Sequence, residues 1–241
     1  YGDHRDLHVR SRRQRQMCIR DRAGTSKRLK RLNDNQVNII IDGNSIEKVE
    51  NEKLLGVFIQ ENLKWSTQVK ELIKKLKKRL NSLIMIKNIA PLETRRMIYE
   101  GIFNSVLTYC MPLWGGLSKS EMEDLQVMQN KAVRATLKKP NRTNRNEMYD
   151  SSGYLTVKQL IVYHTVLSNY KTKKTKEPEY LYERLSRENI RNNIVVDNTK
   201  MKLAKNSFTV RGPENWNLLP HEIRNENQIK TFKTLAKKMD F

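Results

Sequence analysis

The spacing of apolar residues predicts a short β-rich segment near the start of the chain. Residues 37–41 are apolar and mostly β-branched, residues 42–45 contain an Asp-Gly pair, and residues 46–49 resume an extended pattern. Asp-Gly between two such runs indicates a β-hairpin, because glycine takes positive φ at little cost. Residues 53–60 are predicted to form a third strand. Gly56 within it marks either a bulge, which the sequence alone favours, or a close approach of the backbone by a ligand.

A lysine-rich amphipathic helix follows, with Ser66 or Thr67 as its candidate N-cap. Its apolar residues recur every three or four positions and form one stripe: Val69, Leu72, Ile73, Leu76, Leu80, Leu83 and Ile84. Its basic residues lie mostly on another face: Lys70, Lys74, Lys77, Lys78 and Arg79. Glu71 is the only acidic residue between Val69 and Ile89, so these cations repel one another. This imbalance favours a phosphate-binding surface over an ordinary solvated helix face.

Two more helices are predicted before a polar segment. Pro91 separates the first helix from a second over residues 92–110, whose predicted stripe is Met97, Ile98, Ile102, Phe103, Val106 and Leu107. Ser118 or Ser120 caps a third helix, which reaches about Lys138. Its apolar positions are Met122, Leu125, Met128, Ala132, Val133 and Leu137. Residues 141–153 are predicted to be a polar linker with room for one helical turn.

The last third of the chain is predicted to be helical with polar interruptions. Thr156 caps a helix to about Tyr170, with His164 on its apolar side, and a lysine-rich loop over 171–178 follows. A short helix over 179–189 precedes a polar segment, 191–205, that is expected to be mobile. Residues 208–211 are predicted as a short strand. Four apolar residues are expected to anchor the tail, Trp216, Leu218, Leu219 and Ile223, and four more form a terminal helical stripe, Ile229, Phe232, Leu235 and Met239.

These patterns predict a mainly α fold with a small antiparallel β portion. The predicted order is a β-hairpin plus strand, a helical bundle and a helical C-terminal tail. The corresponding segments are 1–22 (non-native or a disordered basic arm), 23–65 (hairpin and strand), 66–140 (helical bundle), 141–153 (linker) and 154–241 (C-terminal helical region with a Trp-anchored tail).

The charge balance suggests the kind of partner. The 241 residues include 47 Lys and Arg against 26 Asp and Glu, a formal net charge of +21. A surplus of this size favours a polyanionic partner, most simply nucleic acid. Since no run of about 18 apolar residues occurs, we expect no membrane span and an intracellular protein of the nucleus or cytoplasm.

The first 22 residues differ from the rest of the chain. They contain seven arginines and no lysine, whereas the remainder prefers lysine. A basic nucleic-acid-binding arm and a nuclear targeting patch are two interpretations. The string RQRQMCIRDR, however, resembles translated sequencing-adapter sequence, so we exclude this segment from the fold prediction. Without its three aspartates and seven arginines, the chain retains a net charge of +17.

Residue types that carry catalysis are scattered. The two cysteines, Cys18 and Cys110, form neither a disulfide scaffold nor a zinc site, and Cys110 is expected in the core. Of the four histidines, His4 and His8 lie in the excluded first segment, and His164 and His221 are far apart in the sequence. Asp42 belongs to the predicted hairpin turn, while Glu121, Glu123 and Asp124 mark a helix start. A two-metal site needs carboxylates from different elements, so the sequence predicts a basic helical binding module with no catalytic or metal-ligating residues.

Several segments resemble one protein family. Residues 53–65 (KLLGVFIQENLKW), the basic helix after them and residues 109–116 (YCMPLWGG) resemble the region downstream of the catalytic palm in reverse transcriptases of non-LTR (LINE-type, Jockey-like) retrotransposons. Residues 208–238 resemble the C-terminal tail of the same proteins, and residues 24–32 resemble the strand end that follows their active-site turn. The resemblance extends from Gly24 to the C-terminus, with two separated motifs in the family's order.

The resemblance implies roles for particular residues. Leu54, Leu55 and Gly56 match the primer grip, whose backbone lies against the primer strand, and residues 70–79 match thumb helices that grip the template–primer duplex. The family's Tyr-x-Asp-Asp turn is absent from this sequence, so we expect a fragment of an RNA-directed DNA polymerase that is inactive alone. Its expected partners are an RNA–DNA or DNA duplex, bound non-specifically, and the palm and fingers of the parent polypeptide. Magnesium is expected only for the complete enzyme.

Two alternatives remain open from the sequence. The chain could be a basic helical module that binds nucleic acid, or an acidic protein, with no enzymatic role. It could also be a decayed element fragment with no function.

Overall fold

The computed structural model describes residues 40–41, 44–45, 49–190, 192–200 and 202–239. They fall in two compact units, Tyr1–Gln68 and Val69–Phe241. The predictions for residues 1–39 and 46–48 concern parts of the chain outside the described residues. The described elements are mainly helices with two short antiparallel hairpins, so the predicted fold class is confirmed.

The first element described in the first unit is the hairpin that the Asp-Gly pair predicts. Strands β1 (Ile40–Ile41) and β2 (Asn44–Ser45) pair antiparallel, with Ile41 opposite Asn44. Two residues connect the strands, as expected for Asp-Gly. Strand β2 lies within residues 42–45, which the sequence pattern assigned to the connection between the two extended runs.

The prediction of a single strand over residues 53–60 is wrong. Strands β3 (Asn51–Leu54) and β4 (Val57–Gln60) form a second antiparallel hairpin, in which Leu54 lies opposite Val57. Leu55 has φ 47° and Gly56 has φ 85°. Positive φ at both central residues is typical of the turn whose twist matches that of the flanking strands. Gly56 is therefore a turn residue and not a bulge.

Helix α1 (Ser66–Ile86) confirms the predicted lysine-rich helix. Ser66 and Thr67 lie inside its first turn rather than before it. There the Gln60 Oε1 atom accepts hydrogen bonds from the Thr67 N–H and the Ser66 hydroxyl, both at 2.9 Å. Of the predicted stripe, Val69, Leu72, Leu76, Leu80 and Leu83 are buried. Ile84, at the edge of the stripe, is 52% exposed, contrary to the prediction.

The predicted second helix contains a π-helical turn. Helix α2 (Leu92–Ile98) begins after Pro91 and continues through the π turn (Tyr99–Asn104) into α3 (Ser105–Thr108). Phe103 and Leu107 are fully buried as predicted, but Met97 is 74% exposed and Tyr99 is buried in its place. A π turn has an i→i+5 hydrogen-bond pattern. It therefore shifts the buried face from the one that a uniform 3.6-residue period assigns.

The middle of the chain is more helical than predicted. Helix α4 (Met111–Trp114) is followed by α5 (Lys119–Leu137), which Ser118 caps through a capping box with Glu121. The predicted linker contains α6 (Arg145–Ser152), in which Met148 and Tyr149 are buried. Two adjacent apolar residues give no helical period, so the sequence pattern missed this helix.

Helix α7 (Val157–Thr175) is the central element of the second unit and packs against α3, α4 and α5. Thr156 caps it as predicted, through a capping box with Gln159. The helix continues five residues beyond Tyr170, so residues 171–175 are not a loop. The end of the helix is lysine-rich, and only Thr172 is buried there.

The C-terminal region is helical throughout its regular elements. They are α8 (Glu179–Leu185), α9 (Lys202–Lys205), α10 (Phe208–Asn217), α11 (His221–Arg224) and α12 (Ile229–Lys237). The strand predicted at 208–211 is wrong, because the segment is the first turn of α10. Val210, Pro213 and Trp216 are buried at three-residue spacing, which suits a helix face and not a strand.

A buried cluster joins this region to α7. Phe232 stacks on Tyr170 with a centroid distance of 4.1 Å and lies 6.0 Å from Trp216. Leu219 and Ile223 are buried in the cluster as predicted, whereas Leu218 is 65% exposed and Ile229 is 40% exposed. Ile194, within the segment expected to be mobile, is 1% exposed and belongs to the same cluster.

Candidate nucleic-acid interface

The exposed face of α1 carries a row of cations, which we call the α1 ridge: Lys70, Lys74, Lys77, Lys78 and Arg79. All five residues are exposed, while the opposite face of the helix is buried. At 100° per residue, Lys70, Lys74 and Lys77 lie within about 60° of one another around the helix axis. Lys75 is exposed as well, and the sequence prediction omitted it although it lies in the same run.

Little negative charge accompanies the α1 ridge. Glu71 forms an ion pair with Lys74 at 2.6 Å, and the Lys74 side chain remains 69% exposed. Residues 70 to 79 span about 13 Å along the helix axis. A duplex carries one phosphate charge per ~1.7 Å of axis, or about eight over this length. The ridge can therefore lie along a duplex without fully neutralising the facing phosphates.

The second predicted site is the tip of the β3–β4 hairpin. Leu54 is 38% exposed and Leu55 is 83% exposed, and Gly56 completes the turn. An apolar side chain so exposed at a tight turn contributes little to folding. The hairpin tip therefore presents backbone and one large apolar group outward.

The base of this hairpin is fixed to the start of α1. The Phe58 N–H donates to Gln68 Oε1 at 2.9 Å, and the Thr67 hydroxyl donates to Asn51 Oδ1 at 3.1 Å. With the Gln60 contacts to Ser66 and Thr67, both strands are tied to the first turn of the helix. These hydrogen bonds hold the strands from which the tip projects.

Lysines at the end of α7 have partners within the protein. Lys173 forms an ion pair with Glu188 at 2.5 Å and lies over the Trp216 ring at 5.4 Å. Lys174 donates to Asn227 Oδ1 at 2.6 Å and lies over the Tyr170 ring. This end of α7 is therefore partly engaged in packing the C-terminal region.

Two motifs that are far apart in the sequence, residues 109–116 and 208–238, meet in the second unit. Arg211 donates to the Pro112 carbonyl at 3.0 Å and to the Asn206 carbonyl at 2.8 Å. Burial is the main cause that lowers the pKa of Arg211, to about 10. A Cβ atom added to Gly116 would lie 2.1 Å from the Asn206 carbonyl oxygen. The Arg211 side chain thus joins the two motifs through the Pro112 carbonyl.

The described residues contain no group of three or more His, Cys, Asp or Glu side chains that could hold a metal ion. Glu121 is used in the capping box of α5, and Glu123 and Asp124 are exposed on the same helix. Cys110, which the sequence placed in the core, is exposed at φ 52° between α3 and α4. None of the helices in the described part of the chain is long and apolar enough to cross a membrane.

The chain is similar to a Drosophila melanogaster protein named "Probable RNA-directed DNA polymerase from transposon BS". The two are 24% identical over 160 residues, which are 65% of this chain and 17% of that protein. The chain therefore spans less than a fifth of this relative's length. No protein-family model and no solved structure matches the chain.

Proposed function

We propose that this chain is the part of a non-LTR retrotransposon reverse transcriptase that grips the template–primer duplex. The observation that carries the proposal is the α1 ridge, whose five exposed cations have one acidic neighbour, Glu71, on a helix with a buried apolar stripe. The similarity to a transposon RNA-directed DNA polymerase supports the choice of a nucleic-acid partner.

The α1 ridge binds phosphates and carries no base specificity. Lysines supply charge without a fixed hydrogen-bonding fork, so they follow a backbone of any sequence. The ridge contains four lysines and one arginine. Binding should therefore be non-specific and should weaken steeply as salt concentration rises.

The hairpin tip acts as the primer-grip element. A two-residue turn with positive φ at Leu55 and Gly56 brings backbone to the outermost point of the hairpin. Such a tip can lie against a sugar–phosphate backbone, with Leu55 in contact with the sugars. The hydrogen bonds that hold the hairpin base keep this tip in position during contact.

Catalysis requires other parts of the parent polypeptide. Polymerases of this kind use metal ions held by carboxylates from several elements, and the described residues supply no such cluster. We therefore expect the 241-residue chain alone to add no nucleotide to a primer with either Mg²⁺ or Mn²⁺. A primer-extension assay with labelled primer tests this, and any extension by the purified chain contradicts it.

The binding proposal is tested with a ridge variant that carries Lys70→Gln, Lys74→Gln and Lys77→Gln. All three side chains are exposed, so the fold should tolerate the changes. Each removes one phosphate contact, and we expect affinity for an RNA–DNA duplex to fall roughly tenfold to a hundredfold near 0.1 M salt. Fluorescence anisotropy with a labelled duplex measures the change.

The matched control carries Lys119→Gln, Lys131→Gln and Lys158→Gln. These lysines are also exposed on helices and lie outside the ridge, so net charge falls equally. We expect the control to lose at most a few-fold in affinity. Equal losses in both variants would mean that the net charge of the chain, and not the position of the lysines in the ridge, determines the affinity for the duplex. Tighter binding to an acidic protein than to the duplex would favour a protein-interaction module.

A further inference from the structure

The last described helix, α12 (Ile229–Lys237), carries a second row of cations. Three lysines lie on one of its faces, and we call them the α12 row: Lys230, Lys233 and Lys237. All three residues are exposed, and at 100° per residue they lie within about 60° of one another around the helix axis. The helix contains no acidic residue. The α12 row therefore presents positive charge along about 10 Å of the surface.

The buried face of α12 holds the row in place. Phe232 and Ala236 are fully buried in the cluster that joins the C-terminal region to α7. The Phe232 ring stacks on Tyr170 at 4.1 Å, and the Tyr170 hydroxyl donates to the Asn227 carbonyl, just before the helix, at 2.6 Å. The α12 row therefore projects from a helix that is anchored in the core.

The placement of these lysines does little for the stability of the helix itself. Lys230 lies in the first turn, where a cation is repelled by the positive end of the helix dipole. Lys233 lies three residues after Lys230 and four before Lys237, so like charges are neighbours along one face. Only Lys237 lies in the last turn, where a cation is favourable. A bound polyanion would offset the unfavourable placements.

The lysines of the α12 row have no hydrogen-bond or ion-pair partner among the residues that the structure describes. The lysines at the end of α7 differ, because Lys173 pairs with Glu188 and Lys174 donates to Asn227. Glu226, the acidic residue closest before α12 in the sequence, accepts a hydrogen bond from the Gln228 N–H at 2.7 Å. The positive charge of the row is therefore available to a partner.

A further cation lies near the end of the row, on α7. Burial, and secondarily the positive charge of Lys171, lowers the pKa of His164 to about 4. Lys171 is exposed, and Lys237 lines a cavity that His164 also lines. Glu100 is the one acidic residue in that lining, and its carboxylate accepts a hydrogen bond from the Asn104 side chain at 2.6 Å. Two helices therefore contribute cations to the surface around His164.

We infer that the α12 row is a second surface for the phosphate backbone of nucleic acid, in addition to the α1 ridge. One strand carries a phosphate per ~3.4 Å of axis, so the row spans about three phosphates, one for each lysine. Ammonium groups bind phosphates as point charges, so this contact carries no base specificity. The inference goes beyond the proposed function, because the two surfaces lie on different helices and can be tested separately.

An anionic membrane surface is the other polyanion that a basic helix can bind. Such a helix inserts an apolar face into the membrane below its cations. The apolar face of α12 is occupied within the protein, where Phe232 and Ala236 are buried. Of the large apolar residues of α12, Ile229 at the first position is exposed, at 40%. These observations favour nucleic acid over a membrane.

Lysine acetylation of the full chain, read by mass spectrometry, tests the inference. The reaction is compared with and without an RNA–DNA duplex that carries a single-stranded RNA extension. We expect bound nucleic acid to slow acetylation of the three lysines of the α12 row several-fold, because a phosphate contact shields the ammonium group. Three exposed lysines on other helices serve as the internal control and should react at unchanged rates: Lys119, Lys131 and Lys158.

A variant with Lys230→Gln, Lys233→Gln and Lys237→Gln gives a second measurement. Glutamine and lysine have similar helix propensities, and the three residues are exposed, so the fold should be kept. The slope of log Kd against log salt concentration should fall by about two units for a single-stranded RNA and about three for the duplex. The control variant at the three internal-control lysines has the same net charge and should keep its slope.

The outcomes separate this inference from the ridge proposal. Protection of the α12 row that persists in the ridge variant at saturating nucleic acid supports a second surface. Protection of the α1 ridge alone, or equal slopes for the α12 variant and the control, would overturn the inference and leave the proposed function intact. Protection of the α12 row without the α1 ridge would support the inference and contradict the proposed function. Equal protection by phosphatidylserine vesicles would overturn the assignment to nucleic acid.

Discussion

Gly116 and Gly101 differ in what a side chain would meet. Gly116 follows α4, where an added Cβ would lie 2.1 Å from the backbone oxygen of Asn206. Gly101 is in the π turn and has nothing within 4 Å of such an atom. Gly116 therefore permits a close contact between two distant segments, whereas Gly101 makes no such contact.

Gly116→Ala should destabilise the protein strongly, because backbone at this distance cannot move away as a flexible side chain would. We expect a loss of roughly 2–4 kcal/mol in the free energy of unfolding, as for severe overpacking. Gly101→Ala should be neutral or stabilising by up to about 1 kcal/mol, because alanine restricts the unfolded chain. Urea unfolding of both variants measures the difference, and similar values for the two would contradict this packing.

The burial of His164 should make the stability of the second unit depend on pH. Its folded pKa is about 4 against an ordinary value of 6.5, mainly through burial. Between these values the unfolded chain binds the proton and the folded chain does not, so stability is complete above pH 6.5 and falls as pH drops toward 4. The full effect is about 2 kcal/mol after allowance for partial exposure.

The His164→Gln variant isolates this contribution. Unfolding by urea between pH 4 and 7 should show a smaller loss of stability in the variant than in the unmodified chain. The difference should develop between pH 6.5 and 4 and be constant above that window. A difference that does not change with pH would mean that His164 is not held neutral by burial.

The helices that sequence patterns predicted well are those with long apolar stripes and capping side chains. Helix α1 has five buried stripe residues, and α5 and α7 begin at Ser118 and Thr156 with complete capping boxes. Such signals are local, since the cap and the stripe both lie within the element. Their positions could therefore be derived without knowledge of the fold.

The elements that sequence patterns missed depend on backbone geometry or on tertiary burial. Leu55 adopts positive φ in a turn where Asn or Asp is usual, so the β3–β4 turn gave no signal. The π turn has no sequence signature of its own. At its start, Tyr99 is buried in the core where the sequence predicted Met97. Of the candidate site, the ridge could be predicted because charge is local. The contact between the Arg211 side chain and the Pro112 carbonyl could not, because the two residues lie 99 positions apart in the sequence.

The β3–β4 turn offers a test at the level of one element. Leu55→Asn should stabilise the hairpin by about 0.5–1 kcal/mol, because asparagine adopts positive φ more readily than leucine. Hydrogen exchange of the peptide that covers residues 51–60 should slow in this variant. Leu55→Ala keeps the backbone strain and serves as the control. Faster exchange in Leu55→Asn would show that the leucine side chain stabilises the turn.

Charge is distributed unevenly over the molecule. The formal net charge is +21, and residues 1–22 contribute only +4 of it. Lys173 and Lys174 at the end of α7 contact rings and polar side chains of the protein. The α1 ridge, in contrast, combines high exposure with one acidic neighbour. We therefore expect a polyanion to bind this chain mainly through the α1 ridge.

The most direct measurement is the dependence of log Kd on log salt concentration for an RNA–DNA duplex. It compares the unmodified chain, the ridge variant and the control variant. Each phosphate contact contributes about one unit of slope, so the ridge variant should lose about three units and the control variant almost none. Three parallel lines, or equal slope changes in the two variants, would contradict binding through the α1 ridge.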